Sequence, residues 1–505
     1  MFASASPLVR CLAAFVLCSV SFSGWAETDE KYKEWAERTR FLLLDDRLID
    51  NTENAKLTVS TAQKHPSNPV FGEDEPWEKR FDNLYGNVIY DEEEEIYKCW
   101  YSPFIQDESA AGMTLAQRKA QTYRPLKFRE MAILYATSKD GIRWEKPDMD
   151  LVDFEGSKAN NILWRGNQER ENLWKGPHGS GIFKDLLDSD PDRRYKAILK
   201  ADIISVAFSP DGLLWGEATT CPEADVAGDT HNNAFWAPTL NKYVGITREW
   251  GREPDAPHVR ARDLVLGKSG RPRRWRQVAR IESEDFVNWT KAEVVLEGID
   301  TDHQTYAMPV FFYGGVYLGL LAVHQQSTDR VWTELTWSPD TRSWHRISPG
   351  TPLIPNSPNE LDYDWGCVYA CAIPVFKENE VQLYYGGSDW LHTSWRNGYL
   401  CLATLRPDGF AGWHQDDPDH IGKVTTALID IAGDNVMVTA DIESGGFLRA
   451  VALDKNENVL AVSEKLTNSV TRSPLTWNNE FSTDQIHLRF EFSEAKVFSF
   501  DLSSG

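Results

Sequence analysis

Apolar and polar residues alternate along most of this chain in short runs, with turn-forming residues between them. Residues 85–90 (YGNVIY) lead through the acidic turn Asp91-Glu-Glu-Glu-Glu95 into residues 96–101 (IYKCWY), and residues 131–136 (MAILYA) follow. The same order returns at 178–183 and 195–199, at 231–236 and 243–247, at 306–312 and 316–321, and at 366–376 and 381–385. Short period-two runs separated by turn signals predict strands that each bury a face, and so many of them predict an all-β fold.

A heptapeptide punctuates these runs. Ser138-Lys-Asp-Gly-Ile-Arg-Trp144 returns as Ser209-Pro-Asp-Gly-Leu-Leu-Trp215, Ser283-Glu-Asp-Phe-Val-Asn-Trp289 and Ser338-Pro-Asp-Thr-Arg-Ser-Trp344. Arg406-Pro-Asp-Gly-Phe-Ala-Gly-Trp413 is a looser fifth copy, and the intervals are 71, 74, 55 and 68 residues. Asp bonds back to its own backbone and Gly supplies positive φ, so the motif reads as a hairpin tip whose Trp starts the next strand. Repeats at such intervals signal stacked or radial units. Five four-stranded units closed in a ring predict a five-bladed β-propeller over residues 81–413. The fifth unit has few residues for a last strand before Trp413, so the apolar run at 41–49 is predicted to close the ring there.

Residues 414–505 lack the motif and alternate instead at 447–453, 486–492 and 496–502, which predicts a C-terminal β-sandwich with one buried face. Residues 27–40 read as a short polar helix and 50–80 as irregular, so 27–80 form a lead-in segment. Two insertions stand out, 103–130 with a helix-like stretch at 113–121, and 248–280, which holds nine Arg and one Lys against four acids.

Before these lies a signal peptide at 1–26: Arg10, an apolar stretch at 11–22 and the small-residue site Gly24-Trp25-Ala26. Without a lipobox, the pattern predicts an exported protein, periplasmic or extracellular, beginning near Glu27. No later run reaches the roughly 18 apolar residues of a membrane helix. Five cysteines follow the signal, without metal-finger pairs, and Cys367 and Cys371 are expected to be buried. The formal charge of −23 disfavours nucleic acid or an acidic membrane as partner. The 20 Trp suit both sheet packing and stacking on sugar rings.

Exported five-bladed propellers followed by a sandwich resemble the glycoside hydrolases of families 32 and 43 and their relatives. The lead-in His65-Pro-Ser-Asn-Pro-Val70 with Pro76-Trp-Glu78 resembles that of mannoside-phosphorylase-like propellers. Leu44-Asp-Asp-Arg-Leu-Ile49, Asp140-Gly-Ile-Arg-Trp144, Asp192-Arg-Arg-Tyr-Lys196 and Tyr384-Tyr-Gly-Gly387 together resemble a large bacterial group of family-32-like proteins. The resemblance implies a glycosidase fold over nearly the whole mature chain. The family 32 motifs Trp-Met-Asn-Asp-Pro-Asn, Arg-Asp-Pro and Glu-Cys are absent, and no family 43 acid set transfers, so catalytic residues are argued from position.

A propeller's inner strands surround an axis, and the residues just before them line one mouth. Glycoside hydrolysis needs an acid on the leaving oxygen and a base or nucleophile on the other face, with pKa values pushed apart. The strand leads offer Asp82, His178, Asp229 with His231, Asp302 with His303, and Glu360, Asp362 and Asp364. Asp229 and Asp302 are the preferred carboxylates and Asp364 the third; His178, His231 and His303 bind hydroxyls or supply a proton. Asp82, Asn232, Trp236, Arg248, Tyr306, Glu360, Trp365, Trp390 and His392 are the candidate substrate contacts. The Arg-rich insertion suits a sulfate or carboxylate on the substrate, which guanidinium matches bidentately. Asp45 and Asp46 read as structural. No cofactor is expected; His and Asp suit zinc or calcium, but no tight ligand spacing appears.

The sequence therefore points to an exported glycoside hydrolase, exo-acting on plant or algal oligosaccharides, sulfated ones included. A non-catalytic carbohydrate-binding propeller and a glycoside phosphorylase are the alternatives.

Overall fold

The structure is a computed structural model that describes residues 39–107, 109, 113–120, 129–168, 174–226, 228–251, 275–300, 302–431 and 435–502. The signal segment, the expected polar helix up to residue 38 and most of the Arg-rich insertion lie outside the described residues. What is described is nearly all β, with one short α-helix, Leu115–Ala120, inside the expected 113–121 stretch.

The antiparallel meanders follow the predicted runs. Asn87–Asp91, Ile96–Tyr101, Arg129–Ser138 and Trp144–Glu145 form the spine of a seven-stranded sheet. His178–Lys184, Tyr195–Lys200, Ile204–Ser209 and Thr219–Thr220 make a four-stranded sheet; so do Asn233–Ala237, Lys242–Gly251, Trp275–Ser283 and Glu293–Leu296. An eleven-stranded sheet holds two further meanders, built on Val316–Gln325 and on Val381–Ser388, joined by the single parallel pair Val331–Cys367.

The first strands of successive meanders are hydrogen-bonded to one another. Asn87 Nδ2 donates to Ser180 O (2.8 Å) while its Oδ1 accepts from Ile182 N. Asn232 N donates to Gly179 O and Val310 N to Asn233 Oδ1, whereas the bond to the last meander comes from a third strand, Val331 N to Gly366 O. Ala372 N returns to Gly86 O at 3.0 Å, so the cycle closes on the strand where it began. Asparagine suits these joints because one side chain supplies both donor and acceptor. All five cysteines among the described residues, Cys367 and Cys371 among them, are buried.

Residues 41–49 do not complete the last meander as expected. Arg40–Leu42 pairs with the C-terminal strand Gln485–Leu502, and Ile49–Glu53 pairs with Gly422–Thr426. The place beside Gly398–Leu405 is taken by Gln63–Lys64 and Phe71–Gly72. The reason lies in the apolar run itself. Leu42 and Leu44 pack into the core of the last two meanders, and Leu43, pointing the other way, packs into the core of the ten-stranded sheet. A run that is apolar on both faces is most stable between two cores.

That ten-stranded sheet holds the C-terminal residues. Its spine is two 18-residue strands, Val436–Leu453 and Gln485–Leu502. The runs at 486–492 and 496–502, read as separate strands, are one. Ala411–Gln415, which carries Trp413, pairs into the same sheet, so this sheet takes up residues 40–59 and begins its C-terminal part before residue 414.

Candidate functional site

The leads into the first strands converge where the cycle's hydrogen bonds meet. Residues 82–85 are held there by an unusual backbone: Asp82, Leu84 and Tyr85 have φ of +57°, +63° and +49°. Left-handed conformations are costly for residues with side chains and cluster at functional sites, where surrounding structure enforces them.

Asp82 lies between two guanidiniums. Arg396 Nη2 donates to its Oδ1 at 2.8 Å, and Arg80 pairs with it closely. The same Arg396 nitrogen donates to Asn83 Oδ1 (2.6 Å), while Asn83 Nδ2 donates to the hydroxyls of Tyr85 (2.8 Å) and Tyr306 (3.1 Å). Burial works against the charge on Asp82, but Arg80 and Arg396 prevail and hold its carboxyl below the usual range. Tyr85 meets the ring of His178 edge-on at 5.2 Å and that of His231 at 5.4 Å.

Across from it, His178 Nδ1 faces Asp229 Oδ1 at 3.8 Å, with Lys200 Nζ at 3.7 Å from the same oxygen. Burial opposes the charge on Asp229 too, and His178, Arg248 and Lys200 hold it ionised below the usual range. Burial pushes His178 down to about 4 and His231 to about 3, so both imidazoles are neutral at pH 7. Asp229 and Asp82 remain partly open, with side chains 31% and 18% exposed.

Tyr306 forms the third side. The guanidiniums of Arg248 and Arg276 lie 4.3 and 5.0 Å from its ring centroid, and His392 meets it edge-on at 4.8 Å. His392 Nδ1 shares a hydrogen bond with the Tyr369 hydroxyl at 2.9 Å, and its ring lies 4.5 Å from that of His324, which pairs with Asp329 at 3.0 Å.

Of the residues singled out from sequence, the structure brings together Asp82, His178, Asp229, His231, Arg248, Tyr306 and His392. It places others elsewhere. Asp302 holds a loop, accepting from Ser327 N and Oγ and from Gln325 Nε2. Asp364 is fully buried against Lys64 Nζ (2.6 Å) and the Tyr385 hydroxyl (2.8 Å), where it fastens the strand Gln63–Lys64 to its meander. His303 pairs with Asp300 and rests against Trp332. Asn232 donates to the carbonyls of Gly179, Gly228 and Thr230. Trp236 packs edge-on against Tyr243, and Glu360 is exposed. Trp365 and Trp390 stack on each other at 5.0 Å, with Arg330 4.9 Å from the Trp365 ring.

Asn83, Arg276, His324, Tyr369 and Arg396 join the site without having been singled out. Arg276 lay within the Arg-rich insertion, whereas nothing local marked Arg396. Among the described residues no group of three or more His, Cys, Asp or Glu side chains is placed to hold a metal ion, and no helix is long and apolar enough to cross a membrane.

No protein-family model matches this sequence, and no curated protein matches it. Solved structures similar to it include an N-acetylgalactosamine deacetylase from F. plautii in complex with blood group B trisaccharide, at 10% identity and TM-score 0.43, over 70% of this chain and 96% of that one. A glycosyl hydrolase from Bacteroides ovatus is similar at 14% identity and TM-score 0.45, over 69% and 94%. A fructofuranosidase from Schwanniomyces occidentalis complexed with fructosylnystose is similar at 10% identity and TM-score 0.40, over 88% and 98%. Glycoside hydrolases thus stand among the similar structures, as they do in the resemblance drawn from the motifs.

Proposed function

We propose that the closed cycle of meanders is a five-bladed propeller, that the ten-stranded sheet is the β-sandwich appended to it, and that the protein is an exported, exo-acting glycoside hydrolase. The observation that carries this reading is the pair Asp82 and Asp229. They come from different strand leads, both are partly open, and both are held below the usual carboxylate range, Asp82 by Arg80 and Arg396 and Asp229 by Arg248 and Lys200 among its neighbours. Asp229, the more open, serves as base or nucleophile towards the anomeric carbon. Asp82, fixed by Arg80 and Arg396, faces the positive charge that develops on the sugar ring. His178, neutral against Asp229 and flanked by the Tyr85 ring, binds a sugar hydroxyl, and the leaving oxygen takes its proton from water admitted through the mouth. A single mouth favours chain ends, and plant or algal oligosaccharides, sulfated ones included, are the proposed substrates.

One observation favours the non-catalytic carbohydrate-binding alternative. Among the described residues, neither Asp82 nor Asp229 is pushed up towards neutrality, as a carboxylic-acid proton donor requires. Purified mature protein incubated with neutral and sulfated oligosaccharides, with products separated by chromatography, decides between them. Release of one monosaccharide type, lost by about 10²-fold or more in Asp229→Asn and Asp82→Asn proteins of native circular dichroism, is the expected result. Binding of the same sugars without any product establishes the alternative.

A further inference from the structure

We infer that Arg248 and Arg276 form a subsite for an oxyanion carried by the sugar, either a sulfate ester or a uronate carboxylate. The substrate class rests on the glycan-acting reading above; the anion site itself stands on the geometry of the two arginines.

Both guanidiniums lie against the Tyr306 ring, at 4.3 and 5.0 Å, and both lie 5.2 Å from the ring of Trp250. Two like charges thus share one aromatic cleft. Among the described residues neither makes an ion pair. Arg248 donates from Nη2 to Tyr306 O (2.8 Å) and Thr230 Oγ1 (3.4 Å), and Arg276 donates from Nη1 to Gln304 Oε1 (3.1 Å). All three acceptors are neutral. The Nε atoms of both arginines are buried without an acceptor, and Arg248 as a whole is 4% exposed.

Burying a guanidinium without a direct ion pair is expensive, and a second one alongside adds repulsion that the single carboxylate of Asp229 offsets for only one of the two charges. Burial and the neighbouring Arg248 both push the Arg276 guanidinium below its ordinary proton affinity. An arrangement of this kind is relieved by an anion that takes the free donors of both forks, which match carboxylate and sulfate in bidentate geometry. Its setting is selective as well. The chain carries a formal charge of −23, so a patch with two guanidiniums that make no ion pair among the described residues stands out from an otherwise repulsive field. The pair also adjoins Asp229, whose carboxylate both arginines help keep ionised. An anionic group held there lies on the sugar being processed or on its immediate neighbour.

The test is calorimetric titration of the full mature chain at low ionic strength with glucuronic acid, a sulfated monosaccharide, inorganic phosphate and neutral glucose. The charged sugars are expected to bind more tightly than glucose. Arg276→Gln is expected to weaken them by about 10- to 100-fold, the effect of losing one charged hydrogen-bonding partner, while glucose binding stays within about twofold. Arg276→Gln is also expected to melt above wild type in buffer free of oxyanions, because like-charge repulsion is removed; a purely structural arginine would lower the melting temperature. Equal affinity of wild type and variant for the charged sugars overturns the subsite. Tight binding of phosphate with turnover of neutral glycosides only in its presence assigns the anion to free phosphate and overturns the sugar-borne source. Asp229→Asn separates this inference from the hydrolase reading: it removes turnover but leaves the charged sugars bound. If no substrate is ever cleaved and Arg276→Gln still loses them, the hydrolase reading fails and the subsite stands.

Discussion

Four copies of the repeated turn and the looser fifth share their aspartate and their closing tryptophan, yet the aspartates end in different places. In each of the first four, one aspartate oxygen accepts from two backbone amides just ahead: Asp140 from Ile142 and Arg143, Asp211 from Leu213 and Leu214, Asp285 from Val287 and Asn288, Asp340 from Arg342 and Ser343. Each Trp indole then donates back to the carbonyl three residues earlier, at 3.0–3.2 Å. Asp408 caps nothing of that kind. It is fully buried, accepting from the Tyr313 hydroxyl (2.6 Å), Ser499 Oγ (2.7 Å) and Thr439 Oγ1 (3.2 Å), with Arg40 at 3.5 Å. Its Trp413 donates to Leu43 O instead of to its own turn. Tyr313 belongs to the cycle of meanders, while Thr439, Ser499 and Arg40 belong to the ten-stranded sheet, so the fifth aspartate is a joint between the two. A turn motif is a local device that tertiary surroundings can redirect.

The largest expected effect is at that joint. Asp408→Ala leaves Arg40, Tyr313, Thr439 and Ser499 without their shared acceptor and is expected to cost about 3–5 kcal/mol in denaturant unfolding, the range for breaking a buried pair from one side; an unchanged midpoint would remove its role as a joint. Next comes pH, which contrasts the axis with the lead-in segment. Burial holds His178, His231 and His324 at about 4, 3 and 4 in the fold, below their unfolded value near 6.5. The unfolded chain therefore binds more protons between pH 6.5 and 4, and stability falls as pH drops through that window. Burial raises Glu73 and Glu78 to about 8 and 7, so their contribution is present below pH 4.5 and is lost as pH rises through 7 and 8. Burial pushes His392 down in the same way, so four groups stand against two in the shared window; melting temperatures are expected to peak near pH 6.5, and a curve flat from pH 4 to 8 would refute the buried neutral histidines.

Smaller effects separate the four turns from one another. Gly141 has φ +75°, and a Cβ there runs into the Tyr384 hydroxyl and the Tyr97 ring. Gly141→Ala is expected to cost about 1–3 kcal/mol. Thr341, at the equivalent place with φ +67°, already carries a side chain, whose Oγ1 accepts from Arg280 Nε at 2.7 Å. Removing the cap in Asp140→Ala is expected to cost about 0.5–2 kcal/mol, as for other side-chain caps of backbone amides. Thermal unfolding of the two variants side by side checks that order.

Much of the fold was legible. The strands at 96–101, 178–183 and 195–199 appear almost as read, because their apolar faces and bounding turns lie within each segment. The ring-closing strands did not, since Gln63-Lys64 carries no apolar signal and is held by Asp364 and by backbone pairing with residues 403–404. Asp82, His178 and Asp229, each read as standing just before a first strand, lie together in the structure; Asp302 and His303, read in the same way, turn their side chains to their own loops.

By itself the sequence determined what depends on contacts a few residues apart: the capped turns, the alternation of buried and exposed faces, and the residues that begin each meander. The tertiary structure alone decided which strand closes the cycle, that residues 486–502 run as one strand, that Asp408 is a joint, and that Arg396 reaches Asp82 from 314 positions away. A hydrogen bond across such a separation leaves no trace in local periodicity. It exists because burial leaves the Asp82 carboxylate and the Arg396 guanidinium with few partners other than each other.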